Sequence, residues 1–173
     1  QISCICPQIR IIAEKLFIQT KSLRKIPVMV EVKGKKGALI KVNASNEIDN
    51  IKKDGSPNFT NINKYAVNGA IHYANAIINN SITYKEAIAV GLNGYDEPGG
   101  RIYEIETYYI SRDNYCIPKR LKTYEDLSFL LPGNIDKLID EIDNSYLTDE
   151  ELEAKAKEFE NEIEIKLKKL NQV

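Results

Sequence analysis

Apolar residues in this chain fall into short clusters separated by polar stretches rich in glycine, asparagine and proline. Pro27-Val28-Met29-Val30 runs into Glu31-Val32-Lys33 and a basic turn at 34–37. The run is brief, β-branched and closed by glycine, which predicts a buried strand over 27–33. Residues 38–42 predict its hairpin partner across that turn. Upstream, residues 9–19 read as a helix turning into a strand, and 21–25 as a polar turn. Residues 43–58, dense in Asn, Asp, Ser, Gly and Pro, predict a long loop of the kind that is often functional. Thr60 is read as the N-cap of the clearest helix, in which Ile62, Tyr65, Ala66, Gly69, Ala70, Tyr73, Ala74 and Ile77 recur at helical spacing. Its small residues, Ala76 among them, suit close packing on a sheet, and Asn79-Asn80 ends it.

Residues 86–92 are almost wholly apolar, as expected of a strand covered on both faces. A turn is expected over 93–100, a half-exposed edge strand over 101–110 and irregular chain over 111–134. Thr148-Asp149-Glu150-Glu151 has the form of a capping box. Beyond it, Leu152, Ala156, Phe159, Ile163, Leu167 and Leu170 make a narrow apolar stripe on a charged rod, predicting a long C-terminal helix that packs against a partner. The expected fold is α/β: a mixed central β-sheet flanked by helices.

Composition narrows the class. The chain has 173 residues, 43% hydrophobic and 28% charged, enough for one domain with a proper core. No apolar run reaches the roughly 18 residues a membrane span needs, and the N-terminus does not read as a signal peptide. The first residue is Gln1 rather than Met, so the chain is expected to be a fragment. Cys4, Cys6 and Cys116 have no CxxC spacing, which suits free thiols in a reducing cytoplasm. The formal net charge of -1 conceals an asymmetry. Nine lysines and arginines in residues 1–41 face only Glu14 and Glu31, whereas residues 134–173 hold six lysines against twelve acids. The basic part suits a phosphate backbone and the acidic part a solvated helix or partner surface; ordinary surface charge is the alternative for both.

Glu31 and Lys33 stand two apart on a strand, so both side chains leave the same face. Phosphodiester hydrolysis needs a nucleophilic water, stabilised charge at phosphorus and help for the leaving oxygen. A carboxylate-held Mg2+ supplies the second and orients the first, and an adjacent lysine can position the water. Mg2+ keeps several waters and needs one or two carboxylates, so a second acid is expected from a neighbouring strand. By itself Glu-x-Lys is a weak motif; its weight comes from standing after a buried strand and ahead of a helix that covers the sheet.

Several stretches carry a resemblance: the run from Pro27 to Gly34, Pro57-Asn58-Phe59-Thr60-Asn61-Ile62, Lys64-Tyr65-Ala66-Val67-Asn68-Gly69-Ala70-Ile71-His72-Tyr73-Ala74, the run from Tyr84 to Tyr95, and Asp126-Leu127-Ser128-Phe129-Leu130. They resemble the N-terminal nuclease domain of fused restriction-modification enzymes (type IIG, close to type I), which is similar in fold to the PD-(D/E)XK nucleases. The resemblance covers about residues 26–170. It implies a restriction-endonuclease-like sheet and cleavage of double-stranded DNA with Mg2+. It also implies that Glu31 is a metal ligand, that the Val32 carbonyl is another, and that Lys33 is the catalytic lysine. The family's upstream acid follows a proline; here residues 14–17 read Glu14-Lys15-Leu16-Phe17, and Glu14 is the nearest candidate.

For DNA contact the candidates are Lys35 and Lys36 after the motif, and Tyr65, Asn68 and His72, which share a helix face with Gly69. Surface charge and core packing are the respective alternatives. The ten tyrosines suit strand packing better than base stacking. No S-adenosylmethionine motif is present, so methyl transfer is expected outside this chain, in a methyltransferase domain that residues 147–173 lead toward as a helical spacer from a nuclease domain at 1–146. A target-recognition domain is the other expected partner. The alternative function is a catalytically inactive nuclease-fold remnant acting as a structural or interaction module.

Overall fold

The computed structural model describes residues 17–19, 25–121, 124–131, 133–143 and 149–170. Five strands form one sheet in chain order: β1 (Phe17–Gln19), β2 (Lys25–Lys33), β3 (Glu86–Glu97), β4 (Gly100–Ser111) and β5 (Lys119–Arg120). β2 and β3 are parallel and the other neighbours antiparallel, so the sheet is mixed and the chain is α/β. The parallel pair requires a crossover, which runs through α1 (Phe59–Lys64) and α2 (Ala66–Asn80). Among the described residues, the remaining α-helices are α3 (Ile135–Asp143) and α4 (Asp149–Leu170).

Side-chain alternation splits the sheet into two unlike faces. Ile26 and Val28 of β2, Ile88 and Val90 of β3, and Ile105 and Tyr109 of β4 point one way, under Phe129 and under Leu138 and Ile142 of α3. Ala87 and Ala89 of β3 point the other way, under Val67, Ala70, Ile71, Ala74 and Ile78 of α2. Large β-branched residues fill the first face; alanine and glycine on the second let the helix lie close. Gly91 is the limiting case: a Cβ there would stand 2.5 Å from Val67 Cγ2 and 2.7 Å from the Val67 nitrogen.

Several expectations change. Residues 38–42 are not a hairpin strand, since β2 pairs with β1 and β3. Their main chain serves α2 instead, the Ala38 and Leu39 carbonyls accepting from the Ala66 (2.9 Å) and Val67 (2.8 Å) amides. That capture explains why the helix expected to run unbroken from Thr60 is two helices. Tyr65 between them is extended (φ -114°, ψ 137°), and the N-cap of α1 is Asn58, with no side-chain cap bond. Ala76 is exposed rather than packed on the sheet. The turn expected over 93–100 shrinks to its far end, because β3 continues to Glu97 in unbroken register with β4. β4 is not an edge strand at its C-terminal end, where β5 pairs with Tyr108 and Tyr109 and residues 107–111 are buried. The stretch read as irregular contains β5 and two short 3-10 turns, and α3 supplies Leu138 and Ile142 to the core. The capping-box Thr148 lies outside the described residues. On α4, Phe159 and Ile163 of the apolar stripe are 46% and 58% exposed.

Candidate functional site

The C-terminal end of β2 delivers the Glu-x-Lys pair onto the α2 side of the sheet. Glu31 is 6% exposed, opposite Gly91 of β3, and Lys33 is opposite Asn93. Lys33 Nζ donates to Glu31 Oε1 at 2.7 Å, with the lysine side chain 22% exposed. A carboxylate this deep needs a partner, and its neighbours give it little room to move. A Cβ on Gly69 of α2 would meet Glu31 Cγ and the Ile62 carbonyl oxygen, both at 3.0 Å. Gly69 and Gly91 are thus the two places where α2 approaches the site too closely for a side chain. Val32, between the pair, is 49% exposed and leaves the other face.

The turn after Lys33 is fixed from three sides. Ala38 N–H donates to the Lys35 carbonyl (3.0 Å), with Gly37 at φ 72°, the left-handed conformation a type II turn requires there. Asn93, fully buried, reads the main chain of Lys35: its Oδ1 accepts from the Lys35 N–H (3.3 Å) and its Nδ2 donates to the Lys35 carbonyl (3.0 Å). The same Nδ2 donates to Glu104 Oε2 at 2.8 Å. Asn68 does the equivalent at the far end of the segment. Its Oδ1 accepts from the Lys41 N–H (2.8 Å), and its Nδ2 donates to the Lys41 carbonyl (3.0 Å) and to Asn50 Oδ1 (2.9 Å). Asn50 Nδ2 returns a bond to the Asn68 carbonyl at 2.9 Å.

The expected DNA contacts separate accordingly. Asn68 is corrected: it is 0% exposed and its amide is consumed within the fold, so it has nothing to offer a ligand. Tyr65 does not share a helix face with His72, because it is the extended residue between α1 and α2; Lys64 Nζ lies 5.3 Å from its ring centroid. His72 is edge-on to Phe59 (5.7 Å) and Tyr73 (5.6 Å). Lys35 and Lys36 lie on the exposed turn, Lys36 paired with Glu97 at 2.6 Å. Glu14, the expected second acid, lies outside the described residues.

Mg2+ is a hard cation that accepts few protein carboxylates. Glu31 offers one carboxylate with a cation beside it, and in donor chemistry this fits. Among the described residues, no three His, Cys, Asp or Glu side chains gather closely enough to hold a metal ion. A cleft of about 1080 Å³ lies elsewhere, lined by the 40–51 segment, by His72 and Asn75 of α2, and by Glu106, Tyr108 and Arg120. Glu106 there is held by Tyr108 Oη (2.7 Å) and Arg120 Nη2 (3.0 Å). Glu31 and Lys33 do not line that cleft. Sequence reading also passed over Asn93, Asn50 and Glu104; only the register Lys33–Asn93–Glu104 singles out Asn93.

Two measurements test this geometry. Asn68→Ala strands the Lys41 main-chain groups and the Asn50 side-chain oxygen, and should cost about 2–3 kcal/mol in denaturant unfolding. A loss under about 0.5 kcal/mol would show that the clamp does not matter. Burial also holds the His72 pKa below its ordinary 6.5. Between the lowered folded value and 6.5 the unfolded chain binds more protons, so this residue's contribution to stability falls as pH drops below about 6.5. His72→Phe should flatten the fall in stability between pH 7 and 5.5, and an unchanged slope would clear His72 of that role.

Among proteins of known function, the chain is similar to the type II restriction enzyme and methyltransferase RM.BcgI of Heyndrickxia coagulans, 41% identical over 73 residues. That match covers 42% of this chain and 10% of the relative, so the chain spans about a tenth of that protein's length. No protein-family model matches the sequence, and no solved structure does. No helix among the described residues is long and apolar enough to cross a membrane. The similarity relates the chain to restriction-modification proteins.

Proposed function

We propose that this chain is the metal-dependent nuclease part of a restriction-modification enzyme, type IIG or type I, with a PD-(D/E)XK-like fold. Its substrate is the phosphodiester backbone of double-stranded DNA in the cytoplasm. The observation that carries the reading is the buried Glu31 with Lys33 Nζ 2.7 Å away, at the end of a strand inside a two-faced sheet. The similarity to a bifunctional restriction enzyme and methyltransferase supports it.

Glu31 and the main-chain carbonyl of Val32 would hold Mg2+, with Glu14 the candidate for the second carboxylate. The bound metal supplies charge stabilisation at phosphorus and a polarised water. Lys33 contributes a fixed positive charge beside that water and the scissile phosphate. Lys35 and Lys36, on the exposed turn, serve neighbouring phosphates, and Tyr65 and His72 flank the duplex. S-adenosylmethionine belongs to a methyltransferase domain outside this chain, reached through a helical spacer over 147–173, and a target-recognition domain reads the sequence.

The second reading, a non-catalytic remnant in an interaction role, is motivated by the sequence upstream of the pair, where Glu14 stands without the preceding proline of the family's acid. Plasmid cleavage by the full-length protein with Mg2+ separates the two, comparing wild type with Lys33→Ala and with an EDTA-treated sample. Equal cutting by wild type and variant would remove Lys33 from the mechanism. No cutting by wild type, together with no Mn2+ binding, would favour the remnant.

A further inference from the structure

Asn93 lies where the nuclease reading assigns no role, yet its side chain makes three tertiary hydrogen bonds. It is 0% exposed and occupies the last rung of the β2–β3 ladder, opposite Lys33. A carboxamide offers one acceptor oxygen and two N–H donors. Here the oxygen takes the Lys35 N–H (3.3 Å), and the nitrogen serves the Lys35 carbonyl (3.0 Å) and Glu104 Oε2 (2.8 Å). Two-point pairing with one residue's N–H and C=O is what a neighbouring strand would do. Asn93 therefore extends the sheet by side chain just where β2 ends. Gly34 runs beside β3 there, 3.7 Å separating the place of a Cβ from the Gly94 carbonyl oxygen. On the other side Glu104 ties the same amide to β4, the Cα partner of Asn93 across that strand pair.

We propose that Asn93 is a positioning residue for Lys33 and for the Lys35-Lys36 turn, acting through the main chain of Lys35 and anchored by Glu104. This rests on the nuclease reading and deepens it. Lys33 precedes Lys35 by two residues, and its reach to Glu31 depends on β2 staying extended to its last residue. Without the amide, the Lys35 N–H loses its acceptor, Glu104 loses a donor and the basic turn keeps only the Lys36–Glu97 ion pair before Ala38. A misplacement of about 1 Å at a catalytic group can cost roughly 100-fold in rate.

In the full-length enzyme, Asn93→Ala should lower the single-turnover cleavage rate about 10- to 100-fold while DNA affinity stays within about threefold. Asn93→Asp, nearly the same shape, should fall similarly, because it keeps the acceptor for Lys35 but places a carboxylate against Glu104 and the Lys35 carbonyl. Adding Glu104→Gln to Asn93→Asp restores a donor–acceptor pair with reversed polarity and should recover at least about fivefold of the rate. Amide hydrogen exchange gives a readout independent of cleavage: the Lys35 N–H should lose protection in Asn93→Ala. Wild-type cutting by a folded Asn93→Ala, a loss confined to DNA affinity, absence of rescue in the double variant, or a Lys35 amide as protected as before would each overturn the proposal. Failure of the nuclease reading appears differently, as wild type that does not cut while the Lys35 amide still responds to Asn93→Ala.

Discussion

Full-length protein carrying Glu31→Gln is expected to cleave plasmid DNA about 100- to 1000-fold more slowly than wild type. The substitution keeps the volume and one carbonyl oxygen but removes the charge. At 6% exposure, Glu31 has few surroundings that could substitute for it; Lys33 Nζ lies 2.7 Å from its carboxylate, and Gly69 closes on its side-chain carbons. The lost charge has two consequences under the proposed mechanism. A carboxamide is a far poorer ligand than a carboxylate for a hard cation, so Mn2+ affinity followed by paramagnetic resonance should fall with the rate. Lys33 also loses the anion that directs it, and its side chain, 22% exposed, can turn toward water. Loss of a single preorganised electrostatic group costs about 3–4 kcal/mol of transition-state stabilisation, which is the stated range of rate. Cutting within about threefold of wild type would remove Glu31 from the active site. Because Gln fits where Glu did, the thermal midpoint should stay within a few degrees of wild type, and the two readouts separate chemistry from folding.

The largest effect on stability is expected at Gly91. Its missing Cβ is the space into which α2 fits: an added methyl would lie 2.5 Å from Val67 Cγ2, 2.7 Å from Val67 N and 2.9 Å from Val67 Cα. Two of those three atoms belong to the helix backbone, so no rotamer change relieves the clash. α2 would have to shift away from β3, opening the Ala87–Ala70–Ala74 contact and moving Gly69 off Glu31. Overpacking of this kind costs about 1–3 kcal/mol, and more where backbone must move. Gly91→Ala should therefore lower the melting temperature by roughly 5–10 °C, at the few degrees per kcal/mol expected for a chain of this size. Gly99→Ala is the matched control. Nothing lies within 4 Å of its added Cβ, and it should be neutral within about 0.5 kcal/mol. A Gly91→Ala protein as stable as that control would refute the packing account. If the helix shift occurs as described, the folded fraction of Gly91→Ala should also cleave more slowly, since Gly69 of α2 packs against the Glu31 side chain.

Elements whose signal is local were legible in the residues alone. Period-2 alternation put Glu31 and Lys33 on one face of β2, and they share that face in the fold, within hydrogen-bonding distance. The apolar run of β3 marked a strand covered on both sides, and the small residues Ala66, Gly69, Ala70 and Ala74 marked a helix lying close to a sheet; all are buried in α2. Tertiary structure alone decided which strands are neighbours. The turn after Lys33 looks like a hairpin, but residues 38–41 are held by the first amides of α2 and by the Asn68 carboxamide, so β2 is left to pair with β3 in parallel. Likewise Asn93-Gly94 reads as a turn, yet Asn93 is held by Lys35 and Glu104, and a Cβ on Gly94 would be 3.2 Å from the Tyr103 ring, so the strand runs straight through. Turn-forming residues signal turns because their short polar side chains bond to nearby main chain. Here the same side chains find main chain 27 and 58 residues away in sequence, which no local pattern can announce.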